Sequence, residues 1–453
     1  MRKRSHEIDM TQGPILPLIL RFAIPLILSD MLQLLYNAAD VAVVGRFASS
    51  EALAAVSSSG SLIGVMTQVF IGLSLGASVL VARHYGSGDR ESVHTSVHTA
   101  ITLSLISGLV IMVAGIALAR PLLIWMNTPA DVLDLATVYI RIYFSGSLFS
   151  MFFNYGAAVM RAVGDSRRPT TYLMISGAVN VVFNLLFVIV FDMSVVGVAL
   201  ATVISQLLSA ALVAVNLLRT HTVIRVDVRR LRIVPREMAA QLRIGFPVGI
   251  QKSMYTISNV ILQTAVNGFG SVTMAGSGAA ANLESFLYAG MSCFYTAVLT
   301  FTSQNMGARQ VDRMKKAAPI CASCSFLTGL TIGSIVMLFR ETLLSFYTTD
   351  PQVIAMAVQR MWVTVLPAAI VGASDAFVGC MRGMGQVFKP MLISIAFVCG
   401  LRLIWVYVFF PLAPSLGMLY LSYPISWSMM LVAQTICYLL TRQKIFRQLE
   451  AAA

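Results

Sequence analysis

Long apolar runs, each ended by glycine, proline or a cluster of charged residues, are the dominant pattern of this chain. Twelve of them reach about 20 residues, the length that an α-helix needs to cross the hydrocarbon core of a bilayer. The segments between the runs are short and hold most of the charged residues. The predicted transmembrane helices are residues 15–44, 52–82, 92–118, 132–158, 168–191, 194–218, 238–267, 272–304, 313–339, 352–379, 388–411 and 417–441.

The basic residues separate to alternate sides of these helices. If the first helix begins in the cytoplasm, the cytoplasmic segments hold 23 Lys and Arg residues, the outer loops hold three, and six lie inside the predicted helices. Lys and Arg accumulate on the cytoplasmic loops of membrane proteins. We therefore predict a multi-pass protein of the inner (plasma) membrane with both termini in the cytoplasm.

The composition narrows the class of protein. Of the 453 residues, 57% are apolar and 11% are charged, and the mean hydropathy is +0.81. Soluble domains carry about 25% charged residues, so this composition excludes an ordinary soluble enzyme and a disordered chain. The net charge of +13 implies no nucleic-acid partner, because the orientation of the helices accounts for most of it.

The second half of the chain repeats the first. A shift of 221–222 residues aligns landmarks in four places, and the best match aligns residues 160–169 with residues 381–390 through Met-Arg-x-x-Gly-(x4)-Pro. Six helices per repeat is an even number, so both repeats enter the membrane from the same side. We predict an all-α polytopic membrane protein with twelve transmembrane helices, arranged as two pseudo-twofold-related six-helix lobes around a central cleft. The segments are an N-lobe at 1–218, a basic cytoplasmic linker at 219–237 and a C-lobe at 238–453.

Two related lobes around a cleft are typical of transporters that alternate between inward-open and outward-open states. A membrane-embedded enzyme would need a sizeable aqueous domain or a cluster of catalytic groups, and the sequence offers a place for neither. We therefore expect a transporter rather than an enzyme, and no cofactor.

Ionisable residues at membrane depth are costly and are functional candidates by default. Asp40 lies in the first predicted helix, and Gln33 and Tyr36 share its face at helical spacing. A carboxylate in an oxygen-rich pocket can be protonated in one state and ionised or cation-bound in another, as ion coupling requires. The alternative is a buried carboxylate that Asn and Tyr donors merely satisfy. The polar residues expected around Asp40 are Tyr139, Asn180, Asn184 and Thr202.

The C-lobe carries a second set of candidates. Glu284, Tyr288 and Met291 share one face of the eighth predicted helix. An acidic group beside an aromatic ring and a soft thioether suits a lipophilic cation. Asp375 in the tenth helix is a further acidic candidate, or else a helix-end group. Internal pairing of Glu284, for example with Lys252, is the alternative, and it would only neutralise both groups.

Four stretches of the chain form a distinctive set of motifs: residues 25–47 with Leu-Tyr-Asn-Ala-Ala-Asp40, 52–56, 156–165 and 382–385. Together they resemble the multidrug and toxic compound extrusion (MATE) family. The likeness extends through essentially the whole chain, including the twelve helices and the duplication.

The resemblance implies export of chemically varied, often cationic and aromatic compounds in exchange for inward H⁺ or Na⁺. The chain most resembles the DinF-like branch, whose N-lobe cation site uses a helix 1 Asp, a helix 4 Tyr, two helix 5 positions and a helix 6 Thr. These positions correspond here to Asp40, Tyr139, Asn180, Asn184 and Thr202. Asn184 stands where that branch commonly has a second Asp. One anionic ligand fewer weakens a dehydrated Na⁺ site and favours H⁺.

We therefore expect a cation-coupled antiporter, with H⁺ favoured over Na⁺, that exports lipophilic, often cationic drugs by alternating access. The residues expected to contact substrate are Gln33, Tyr36, Glu284, Tyr288, Met291 and Asp375. Pro25 is the expected bend point of helix 1, because proline lacks the N–H that the helix would use. We expect a monomer surrounded by membrane lipid, with no metal ion other than Na⁺ if Na⁺ is the coupling ion.

Two alternatives stay open. A lipid-linked saccharide flippase of the same superfamily would share the lobes but favour a cationic cavity for pyrophosphate. Asp40 and Glu284 speak against it, whereas Lys252, Arg360 and Arg402 speak for it. A membrane sensor or structural protein without transport is the other alternative, and it would have no need of Asp40 at membrane depth.

Overall fold

The computed structural model describes residues 7–47, 50–126 and 128–451, except for the side chains of 37–47 and of 50, 51, 53, 54, 57, 58 and 61. The described residues are almost entirely helical and include no β-strand, which confirms the all-α class. All twelve predicted segments are helical. In the first half the helices are α1 (Ile15–Phe47), α2 (Ser50–Gly86), α3 (Arg90–Trp125), α4 (Ala130–Ser145), α5 (Ser147–Ala162), α6 (Arg167–Leu185) and α7 (Ser194–Arg219).

The second half repeats this order with more interruptions. Its helices are α8 (Pro235–Asn267), α9 (Ser271–Gly307), α10 (Val311–Leu338), α11 (Arg340–Ser345), α12 (Pro351–Thr364), α13 (Ala369–Gly383), α14 (Phe388–Ser394), α15 (Leu401–Ile404) and α16 (Leu416–Ala451). Eight of the described helical segments are long and apolar enough to cross a membrane, and two bent helix pairs add up to two more.

The two bent pairs were predicted as single straight helices and are each broken. α4 and α5 meet at 46°, and so do α12 and α13. The first break is at Gly146 and the second surrounds Pro367, which is 221 residues further on. Glycine weakens a helix and proline removes a hydrogen bond from it, so different residues produce the same bend in the two repeats.

The repeated Met-Arg-x-x-Gly motif forms the same helix end in both halves. Gly164 and Gly385 have left-handed backbones, with φ of +86° and +85°. In the first copy the N–H of Gly164 donates to the carbonyl of Arg161 (2.9 Å) and the N–H of Asp165 to that of Met160 (3.0 Å). The second copy makes the equivalent pair of bonds at 2.8 and 2.9 Å. This is a Schellman cap, for which glycine is preferred, and it explains why the motif recurs.

The chain forms two compact units. Among the described residues, unit 1 comprises 7–9 and 28–253, and unit 2 comprises 10–27 and 254–451. Both α1 and α8 therefore contribute a first half to one unit and a second half to the other. Pro25 lies inside α1, two residues before the point at which that helix passes from unit 2 to unit 1.

Within unit 1 the first half of α8 packs closely on α2. A Cβ added to Gly72 would overlap the backbone of Gly249, and one added to Gly245 would lie 2.5 Å from the Cα of Leu73. Small residues allow helix backbones to approach this closely in a membrane. The contact fixes α8 to unit 1 up to the point where its second half enters unit 2.

Candidate functional site

Three predicted residues lie in the second half of α1. The side chain of Asp40 lies outside the described residues. Gln33 is exposed, whereas Tyr36 packs so closely on Gly177 that a Cβ there would overlap its ring. Tyr36 therefore contacts α6, the helix that carries both predicted asparagines.

Four predicted coupling residues lie on helices that pack side by side in unit 1. Asn180 and Asn184 are buried one turn apart in α6, and the side-chain amide of Asn184 donates to that of Asn180 at 3.3 Å. α7 packs against both α6 and α4. It carries Thr202, whose hydroxyl donates to the carbonyl of Val198 (3.0 Å), while the buried Tyr139 lies on α4. Three adjacent helices of unit 1 thus carry the predicted hydroxyl and amide groups.

Unit 2 contains a cavity of about 420 Å³. Its wall is built from α8, α9, α12, α13, α15 and α16, and it combines aromatic rings with charged groups. The structure brings three predicted residues, Glu284, Tyr288 and Asp375, into this wall. The aromatic side chains of the wall are Tyr255, Tyr288, Tyr423 and Trp427, and its charged side chains are Glu284, Arg360, Asp375 and Arg402.

Glu284 forms a buried ion pair with Arg360. The guanidinium donates from Nε to Oε1 (3.0 Å) and from Nη2 to Oε2 (2.8 Å) of the carboxylate, which is the bidentate geometry of strong pairs. Thr364 donates a further bond to Oε1 (2.6 Å), and Arg360 Nη1 reaches Ser277 (2.6 Å). Glu284 is therefore paired within the protein, as the alternative interpretation of the sequence proposed. Its partner is Arg360, whereas the sequence suggested Lys252. The negative charge of Glu284 is already neutralised within the protein.

Arg402 has a different environment. It is 3% exposed, and its described hydrogen bonds go to neutral oxygens, those of Ser426 (3.2 Å) and Asn259 (3.3 Å). Its guanidinium lies over the ring of Tyr423 at 4.5 Å and near that of Trp427 at 5.8 Å. None of the ion pairs in the described part of the chain includes Arg402.

The local backbone around Arg402 is unusual. The four-residue α15 lies between two π-helical stretches, Ile395–Gly400 and Trp405–Phe409. Each widened turn shifts the register of the side chains that follow, and such turns are frequent at functional sites. The chain departs from regular α-helix on both sides of the residue that contributes an arginine to the cavity wall.

Met291 does not belong to the cavity wall in this structure. It is 3% exposed within the apolar core of unit 2, where a Cβ on Gly329 or Gly372 would approach its sulfur at 2.5 or 2.8 Å. Two small residues on neighbouring helices leave the space that its long side chain fills. The structure therefore gives Met291 a packing role, and its assignment to the substrate site stays a prediction.

Arg360 and Arg402 were not among the predicted site residues, although both lie in predicted transmembrane helices. The rule that an ionisable residue at membrane depth is a functional candidate applies to them as it does to Asp40. Sequence reasoning used them only in favour of the flippase alternative, because one sequence does not show which carboxylate each arginine meets.

Comparisons with known proteins agree with the fold. The MatE family profile matches residues 25–186 and 247–408, two stretches 222 residues apart that confirm the duplication. The "Probable multidrug resistance protein YoeA" of Bacillus subtilis is 28% identical over 411 residues, 88% of each chain. The "Probable multidrug resistance protein NorM" of Thermotoga maritima is 26% identical over 404 residues, 85% of this chain and 83% of its own.

Solved structures share the whole fold. A MOP superfamily transporter from Pyrococcus furiosus superposes with a TM-score of 0.89 at 23% identity, covering 99% of this chain and 100% of that one. The family profile covers more than half of the chain, and both named relatives span it nearly from end to end. The chain therefore belongs to the MatE family of multidrug efflux transporters, plasma-membrane proteins that move small molecules and are not enzymes.

Proposed function

We propose that this protein is a cation-coupled antiporter that exports lipophilic organic compounds by alternating access, with H⁺ favoured over Na⁺ as the coupling ion. The observation that carries the proposal is the cavity of unit 2, in which four aromatic and four charged side chains meet inside transmembrane helices. Pockets of a few hundred Å³ that combine apolar walls with a few placed polar groups are typical of small-molecule sites. The protein acts as a monomer with both termini in the cytoplasm.

Coupling is assigned to the polar region of unit 1. Asp40 contributes the titratable group, and Tyr139, Asn180, Asn184 and Thr202 surround it with neutral oxygens. The proximity of Tyr36 to α6 supports this placement, because it brings α1 to the helix that holds both asparagines. A site with one carboxylate and otherwise neutral ligands suits a proton better than a dehydrated Na⁺, since Na⁺ would lack a second anionic ligand.

The cationic nature of the cargo has less support than the sequence suggested. Glu284 was the acidic group expected to attract a lipophilic cation, and its charge is neutralised by Arg360. Asp375 is the remaining carboxylate in the cavity wall. The proposal therefore includes export of organic compounds but does not depend on a positive charge on them.

The test is transport by the full chain in proteoliposomes under separate pH and Na⁺ gradients. We expect a pH gradient alone to drive export of a fluorescent amphiphile, and Asp40→Asn to abolish the response. Asp30→Asn, on the same helix, is the matched control and should retain transport. Export driven only by Na⁺ would contradict the proton assignment, and export by neither gradient would contradict the antiporter.

The saccharide flippase is the second candidate, favoured by the buried Arg402. Its pyrophosphate substrate carries more negative charge than one arginine neutralises, and Arg360 is already paired. Lipid translocation assays on the same proteoliposomes separate the candidates: a flippase moves a labelled lipid pyrophosphate without an opposing ion gradient.

A further inference from the structure

The four charged side chains of the unit 2 cavity wall differ in their partners. Glu284 and Arg360 neutralise each other through two hydrogen bonds. Asp375 is the second carboxylate of the wall, and none of the ion pairs in the described part of the chain joins it to Arg402. Arg402 is left with neutral partners among the described residues.

A buried arginine without a carboxylate partner is costly at membrane depth. Guanidinium has five N–H donors, and in the described part of the chain the two hydrogen bonds of Arg402 occupy Nε and one N–H of Nη1. Donors therefore remain on Nη1 and Nη2, and the side chain lines the cavity. A guanidinium that keeps free donors at a cavity wall is suited to a carboxylate or another oxyanion, which takes two N–H groups at once.

The surroundings of Arg402 hold its guanidinium in a fixed orientation. Tyr423 packs on its face at 4.5 Å and Trp427 lies at 5.8 Å, while Ser426 and Asn259 bind its edge. The same tyrosine ring lies 5.5 Å from the guanidinium carbon of Arg360. A preorganised arginine loses little conformational freedom when an acid binds. The aromatic rings of the wall then offer an apolar face to the remainder of the ligand.

We propose that this cavity binds aromatic compounds that carry an acidic group, and that Arg402 receives that group. The inference rests on the proposed function and specifies its substrate class. The acidic group of such a compound pairs with Arg402, which has no carboxylate partner among the described residues. Its aromatic ring packs against the aromatic side chains of the wall. A lipophilic cation would meet the positive charge of Arg402 and find Glu284 already neutralised.

The test compares three ligands of one shape and different charge: anthracene-9-carboxylate, 9-anthracenemethanol and 9-anthracenemethylammonium. Binding to the full chain in phosphatidylcholine nanodiscs is measured by quenching of tryptophan fluorescence, with empty nanodiscs as the correction for partitioning into lipid. We expect the carboxylate to bind at least about tenfold more tightly than the ammonium, because hydrogen bonds between charged groups are worth that factor or more. Equal binding of all three, or tighter binding of the ammonium, would overturn the inference.

Two variants separate the role of Arg402 from general damage. Arg402→Gln should weaken carboxylate binding about tenfold and leave binding of the alcohol unchanged. The carboxylate affinity of Arg402→Lys should lie between those of wild type and Arg402→Gln. Arg447→Gln is the matched control, since it removes an exposed positive charge of the same unit that does not line the cavity, and it should not weaken carboxylate binding. The assignment is wrong if Arg402→Gln binds the carboxylate as well as wild type does, or if Arg447→Gln loses as much affinity.

Transport of the same three ligands distinguishes the two proposals. Export of the ammonium or the alcohol without binding of the carboxylate would refute the acid-binding inference and leave the antiporter standing. Carboxylate binding without gradient-driven export of any of the three would refute the antiporter, and the cavity would remain an acid-binding site.

Discussion

Gly164 shows how one residue of a repeated motif connects the sequence to stability. Its φ of +86° lies in the left-handed region, which costs a residue with a Cβ about 1–2 kcal/mol. It also lies against Ile8 of the same unit, so that a Cβ would overlap the carbonyl oxygen of Ile8. Glycine is therefore required at this position for two reasons: the left-handed backbone conformation, and the lack of space for a Cβ beside Ile8.

We predict that Gly164→Ala lowers the thermal unfolding midpoint of the purified protein more than Gly88→Ala does. Gly88 has a φ of +75° with no atom within 4 Å of an added Cβ, so its substitution measures the backbone cost alone, about 1 kcal/mol. The larger loss at Gly164 is the contribution of the overlap with Ile8. If both variants lowered the unfolding midpoint equally, the prediction would be wrong, because the segment around Ile8 would then move aside without loss of stability.

The sequence predicted the recurrence of the glycine but not its contact. The Met-Arg-x-x-Gly repeat shows that a backbone feature is shared, because glycine at a helix end is a local signal. The approach of Ile8 joins residues more than 150 positions apart, and a local pattern carries no such information. The same limit applies to Glu284, whose partner Arg360 lies 76 residues away.

At the scale of elements, the buried ion pair joins α9 to α12. Both side chains are nearly inaccessible, with 4% of Glu284 and 5% of Arg360 exposed. Removing one partner of a buried pair leaves an uncompensated charge and typically costs about 3–5 kcal/mol. Thr364 donates to Glu284 and Ser277 accepts from Arg360, which extends the network to two further residues of the same helices.

We predict that Arg360→Met destabilises the protein strongly, and that the double variant Glu284→Gln/Arg360→Met recovers much of the loss, because it leaves no buried charge unpaired. Arg402→Met is the matched control. It removes a buried arginine that has no ion-pair partner among the described residues, so it should cost less. Thermal unfolding in one detergent measures all three, and a double variant no more stable than Arg360→Met would refute the pairing argument.

The apolar pattern predicted where the helices begin and end far better than it predicted where they break. Each predicted helix is present, because twenty apolar residues in a membrane have no alternative to the helix that satisfies their backbone. The breaks at Gly146 and Pro367 were not predicted, since neither residue interrupts the apolar pattern. The transfer of α1 and α8 between units was not predicted either, since a helix that continues in sequence gives no sign of changing partners.

At the scale of the whole molecule, the charge of the cargo decides how much work the membrane can supply. Moving one charge across 100 mV is worth about 2.3 kcal/mol. When one H⁺ enters for each molecule exported, a neutral cargo moves one charge and a monocation moves none. A monoanion moves the equivalent of two charges, about 4.6 kcal/mol, or more than three decades of concentration ratio at 1.4 kcal/mol per decade.

We predict that the membrane potential increases the export gradient most for the carboxylate, less for the alcohol and least for the ammonium. Proteoliposomes with a potassium diffusion potential set by valinomycin, inside negative, measure the steady-state gradient of each compound at several potentials. Protein-free liposomes under the same potentials correct for leakage of lipophilic ions through lipid. Because an electroneutral exchange has no dependence on potential, the ammonium gradient should stay flat while the carboxylate gradient rises most steeply. A carboxylate gradient that ignores the potential would contradict one-for-one exchange of an acid for a proton.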